Sequence, residues 1–161
     1  MAYKAPGNRR AKGKTMAWDM YQERILDHYR RPRNFGRLES PDLTGSESNP
    51  LCGDHITLEL RLDPTRERVE EVRFSGDGCA ISMASASLLT QRVQGKPLTE
   101  VSQLRRTDVE AMLGIPLSPV RVKCALTPLK ALAEALAGTR TPLTTSEAPG
   151  TESPGVGETP P

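Results

Sequence analysis

The sequence predicts an α+β domain in which helices cover one face of a small antiparallel β-sheet. Apolar and polar residues alternate through HITLELRLD, and a second alternating run, VEEVRFS, follows a turn at Asp63-Pro64. The segments before and after this hairpin repeat apolar residues at helical spacing and close on Pro or Gly.

Each element has its own local cause. In WDMYQERILDHYRRPRNFG, Asp19 and Gln22 have capping-box spacing, and Tyr21, Ile25 and Tyr29 share one stripe. Arg30 and Arg31 suit the negative end of the helix dipole, and Pro32 stops the helix. Asn34 to Asn49 is rich in turn residues and holds at most a short strand. Ile56, Leu58, Leu60 and Leu62 then share one face of a half-buried strand, as Val72 and Phe74 do on the next.

GDG breaks that strand and opens CAISMASASLLTQRV, where Ile81, Ala84, Leu88 and Val93 mark a face of mostly small residues suited to close packing on a sheet. Gly95 and Pro97 end it. TDVEAML carries a second capping box, Thr107 with Glu110. In RVKCALTPLKALAEALAG, Pro128 fits the first position of a helix capped by Thr127 and ending before Gly138. Cys124 is thereby expected just upstream of a helix start.

The chain has 161 residues and a formal net charge of +2. Lys4, Arg9, Arg10, Lys12 and Lys14 give residues 1–17 a basic character, whereas residues 139–161 are Pro-, Gly-, Ser- and Thr-rich. Neither end has apolar surface to offset ordering entropy, so both are expected to be disordered around a folded domain at 18–138. No apolar run has the length of a membrane span and no signal core follows the basic residues, so a cytoplasmic location without membrane contact is expected. The basic arm has no aromatic stacking platform and reads as a solubilising extension, not a nucleic-acid-binding segment.

Three cysteines, an odd number, speak against a disulfide framework in a reducing compartment. Counting back from Ile56 by twos reaches Asp54 and Cys52, so an extended strand would turn both toward the apolar face. A carboxylate there needs a cation or donors, whereas a turn at Gly53-Asp54 would leave it solvated; phase alone leaves both readings open. Cys79 opens a helix, where amide donors favour a thiolate, or packs beneath it as a small residue. Arg121 and Lys123 flank Cys124 and either stabilise its thiolate or stay in solvent. Three thiolates with one carboxylate would suit zinc, or a small iron–sulfur cluster with one oxygen ligand, although no CxxC pair is present. His55 alternates away from Asp54 toward solvent, and His28 reads as packing or surface.

The segments DHYRRPRNFG, NPLCGDH, GDGCAISMASASLLT and RVKCAL resemble, in order, those of the SufU/IscU/NifU-type iron–sulfur cluster assembly family. The resemblance covers Trp18 to about Ala137. It implies a scaffold, not itself an evident enzyme, that accepts sulfur from a cysteine desulfurase and passes clusters to acceptor apoproteins. It places Cys52, Asp54, Cys79 and Cys124 as ligands of zinc in the resting state or of a transient iron–sulfur cluster. Similarity to the SufU branch makes Cys52 the first choice of sulfur acceptor; similarity to the IscU branch would make it Cys124. LSPVRVKC, residues 117–124, resembles an IscU segment recognised by a specialised chaperone, but Ser118 and Arg121 replace its proline and lysine, which argues against that recognition here. The rival expectation is a structural zinc domain that binds a partner without transferring sulfur.

Overall fold

The computed structural model describes residues 11–140, so the expectations for 1–10 and 141–161 lie outside the described residues. Chain order is α1 (Ala11–Arg30), β1 (Leu43–Asn49), β2 (Asp54–Leu62), β3 (Val69–Asp77), α2 (Ala80–Val93), α3 (Leu98–Val101), α4 (Arg106–Leu113) and α5 (Pro119–Arg140). The strands form one antiparallel sheet in the order β1-β2-β3. Helices α2 and α5 pack on it, with α1 and α4 against α2, which is the expected α+β arrangement.

The inward residues of the strands are those that alternation selected. Ile56, Leu58, Leu60, Val72 and Phe74 are buried and meet Leu89 of α2 and Leu132 of α5 in one core. Each such side chain contributes about 1.5–3 kcal/mol through loss of apolar surface to water. Helix α2 is buried continuously from Ser82 to Thr90, and its small residues allow close approach on several sides at once. Its serines find partners on different elements: Ser82 on β2, Ser85 on α5 and Ser87 on α1.

Four local expectations are corrected. Helix α1 starts at Ala11, so Asp19 lies inside it and not at a cap. The region expected to hold at most a short strand supplies β1, paired with β2 from Leu43↔Leu60 to Asn49↔Asp54. Helix α4 is capped at Arg105, whose backbone N–H donates to Asp108 Oδ2 at 2.8 Å; the acid sits three residues beyond Arg105, which displaces the Thr107 box. The largest correction is α5, which runs from Pro119 straight through Pro128.

The rule that proline favours a helix start applies, but to Pro119. An interior proline costs about 3 kcal/mol, yet burial of Ala125, Ala131, Leu132, Ala135 and Leu136 along one face of the helix outweighs it. Pro128 has no N–H, so the Cys124 carbonyl four residues earlier lacks its intrahelical donor. Thr127 serves not as a cap but as a donor from Oγ1 to the Lys123 carbonyl at 3.0 Å. Cys124 therefore lies within a helix, fully buried, and not in a loop.

Candidate metal centre

The site forms where the β1–β2 turn, the start of α2 and the first half of α5 meet. Asn49 and Asp54 face each other across the turn. The Asn49 carbonyl accepts the Cys52 N–H at 3.3 Å, and its side-chain Oδ1 accepts the Leu51 N–H at 3.3 Å. Gly53 closes the turn at φ +69°, in the left-handed region that glycine enters without strain. Cys52 is left half-buried on this turn, and Asp54 begins β2 in the inward phase, 1% exposed. The solvated reading of Asp54 is thus excluded.

The two carboxylate oxygens of Asp54 differ. Oδ1 accepts the Cys79 backbone N–H at 2.9 Å and the Ser82 hydroxyl at 3.2 Å. Oδ2 is buried with no hydrogen-bond partner. Gly78 permits the arrangement: a Cβ there would lie 2.9 Å from Oδ1 and overlap the Ser82 hydroxyl. An unpaired buried carboxylate oxygen is costly, and a cation is what would complete it.

Cys124 brings its sulfur from α5 to the same site. Its Sγ stands 3.0 Å from Cys52 Sγ, both thiols being free, and 3.8 Å from the Asn49 amide nitrogen. One ligand atom each from Cys52, Asp54 and Cys124 lies within 4.8 Å of the other two. Burial first, then the neighbouring side chains of Cys52, Asp54 and Cys79, push the Cys124 thiol far above its ordinary range. Of the two readings of Arg121 and Lys123, the solvent-facing one holds: both side chains are exposed. A positive ion between the sulfurs would lower that barrier to deprotonation.

Cys79 is the N-cap of α2, as its place before the helix suggested. It interacts with Cys124 and gives its backbone N–H to Asp54. It stands outside the trio of mutually close ligand atoms, so to join them its sulfur must close up on the other three. His55 is exposed, with Nδ1 2.7 Å from Ser48 Oγ, and takes no part. His28 is buried in the α1–α2 seam, its Nδ1 2.7 Å from Ser87 Oγ.

Sequence reasoning overlooked Asn49, Gly78 and Ser82. Asn49 was hidden because β1 was not anticipated; its inward phase follows at once from pairing with Asp54. The donor set fits a small thiophilic cation: two sulfurs, one unsatisfied carboxylate oxygen and a further thiol at the edge.

Comparison with known proteins agrees with this chemistry. The family model described as the NifU-like N terminal domain matches residues 20–141. The chain is 36% identical over 135 residues to the zinc-dependent sulfurtransferase SufU of Bacillus subtilis, covering 73% of this chain and 90% of that protein. It is 38% identical over 104 residues to the iron–sulfur cluster assembly scaffold protein IscU of Aquifex aeolicus, covering 65% and 66% of the two chains. Among solved structures, a Fervidobacterium islandicum protein described as a SUF-system scaffold superposes with a TM-score of 0.61 at 30% identity, covering 71% of this chain and 94% of that one. An N-terminal NifU-like protein from Brucella abortus shares the fold with a TM-score of 0.61 at 24% identity, over 78% of this chain and 97% of that one.

Proposed function

Because the chain belongs to the NifU-like N-terminal domain family, we propose that it is a cytoplasmic iron–sulfur cluster assembly protein that accepts sulfur from a cysteine desulfurase. Cys52, Asp54, Cys79 and Cys124 are its ligands to zinc at rest, and to a transient cluster during assembly. The observation that carries this reading is the buried, unpartnered Asp54 Oδ2 in a residue grouped with two free thiols. Bound zinc would hold the thiols as thiolates at neutral pH and keep them from pairing as a disulfide.

The residues divide the work. Asp54, a harder ligand than thiolate, supplies the more exchangeable bond. Cys52, half-buried on the turn, is the acceptor: its thiolate attacks the terminal sulfur of the desulfurase persulfide, the S–S bond there breaks, and the desulfurase thiolate leaves. One S–S bond forms as one is lost, so no outside oxidant is needed. Cys124, fully buried on α5, is the less accessible alternative.

The test is peptide mass spectrometry of the zinc-loaded full chain after incubation with a cysteine desulfurase and cysteine. A persulfide on Cys52, absent from a Cys52→Ala variant, is expected. Persulfide that persists in Cys52→Ala would reassign the acceptor to Cys124. Tightly held zinc with no persulfide on any cysteine would leave a structural zinc domain instead.

A further inference from the structure

Asn49 touches two cysteines of the site, the backbone of Cys52 through its carbonyl and the sulfur of Cys124 through its side chain. Its carbonyl accepts the Cys52 N–H at 3.3 Å, while its Nδ2 faces Cys124 Sγ at 3.8 Å. The amide cannot be reversed without loss, because Oδ1 is fixed by the Leu51 N–H at 3.3 Å. The residue is 8% exposed, so no water competes strongly for that N–H. Of the two sulfurs, only Cys124 receives a side-chain amide donor among the described residues; Cys52 has its N–H on the Asn49 carbonyl and its sulfur on the Cys124 thiol at 3.0 Å.

An N–H directed at a thiolate withdraws charge from sulfur and lowers its nucleophilicity. We infer that Asn49 is a positioning residue that makes Cys124 the retained, electronically damped ligand and leaves Cys52 as the thiolate free to react. Granted the metal-bound sulfur-acceptor role, Asn49 sets which cysteine receives sulfur. The side chain does this without itself contacting the reacting sulfur.

Two substitutions separate this role from simple closure of the turn. Asn49→Asp keeps an oxygen for the Leu51 N–H but replaces the sulfur-facing donor by a carboxylate oxygen. Asn49→Ala removes both contacts. Each zinc-loaded full chain is treated with limiting iodoacetamide, and the labelling rates of Cys52 and Cys124 are read by peptide mass. The same chains loaded with cobalt(II) report the sulfur-to-metal charge-transfer band.

In the parent, Cys52 should label faster. In Asn49→Asp the Cys52:Cys124 rate ratio should fall about tenfold, the scale set by one hydrogen bond to a charged group, and the cobalt band should move to lower energy. A turn-closing role alone predicts parent-like ratio and band in Asn49→Asp, with change only in Asn49→Ala. That result, or an unmoved band in both variants, would overturn the inference. No desulfurase is present in either measurement. A shifted ratio without any persulfide in the earlier assay would therefore refute the proposed function and not the role of Asn49, and the converse result would do the opposite.

Discussion

Replacing Asp54 by asparagine separates what the carboxylate costs the metal-free fold from what it contributes to a bound ion. The retained oxygen still accepts from Cys79 N–H and the Ser82 hydroxyl, now at 2.9 Å and 3.2 Å, so those bonds survive. The position of Oδ2 changes from a buried acceptor with no partner to an amide donor among sulfur acceptors. Relief of one unsatisfied buried acceptor amounts to about 1–3 kcal/mol. At about 3–5 °C per kcal/mol for a domain of this size, Asp54→Asn in chelator should melt roughly 3–15 °C above the parent. Zinc reverses the order: an ion stabilises the state it binds by mass action, and a neutral amide is the poorer ligand. The assay is thermal unfolding followed by circular dichroism, first in chelator and then with stoichiometric zinc. A variant that melts at or below the parent in chelator, or gains as much from zinc, would refute the reasoning that Oδ2 is a vacant ligand atom.

Gly78→Ala should disturb the same carboxylate from outside, since its Cβ would crowd Asp54 Oδ1 and Ser82; zinc release to a chelator should quicken several-fold, and an unchanged rate would show that the contact yields freely. Pro128→Ala restores a donor to the Cys124 carbonyl and should raise metal-free stability by about 1–3 kcal/mol, read from urea unfolding; a loss of stability would mean that the proline ring itself is required for packing. His28 is held below its ordinary value of 6.5, first by burial and then by Arg33 and Arg24. The unfolded chain therefore binds more protons just below that pH, and stability should fall as pH drops through it, levelling off below the folded-state value. His28→Gln should flatten this slope in urea titrations made above and below that pH; an equal slope would assign the effect to other groups.

The strands β2 and β3 were legible because alternation governs each, and helix α2 because a glycine break opens it and Gly95 and Pro97 close it. The inward phase of Cys52 and Asp54 could likewise be counted from Ile56, although whether the strand reached them could not. Burial of Asp54 depends on Gly78 and Ser82, which lie more than twenty positions away and come into contact only when α2 docks on the sheet. Strand β1, LTGSESN, has little β-propensity of its own; pairing with β2 and cover from α5 make it a strand. Cys124 was misplaced because a local proline rule competed with a tertiary effect. Leu132 and its neighbours bury enough surface for α5 to continue through Pro128, and no window around Cys124 contains that information.

Helix α2 supplies the reason that the candidate ligands are unequal. Ser82 donates to Asp54 on β2, Ser85 donates to the Ala125 carbonyl beside Cys124 on α5, and Ser87 pairs with His28 on α1 while accepting the Arg33 N–H at 2.8 Å. All three serines are 0% exposed, so none of these bonds can be exchanged for water without opening the core. Cys79 is the cap of the same helix. Asp54, Cys79 and Cys124 are thus tied to one rigid body whose displacement would unpair buried polar groups. Cys52 is tied to Asn49 across a glycine-closed turn, and a shift of that turn breaks backbone contacts that solvent can replace. A ligand that must leave an ion and return needs that freedom, and only the turn offers it at low cost. On the proposed reading, packing on α2 holds Cys79 and Cys124 in place while the Asn49 amide sets Cys124 apart from Cys52 electronically, so the two effects act together in selecting the acceptor.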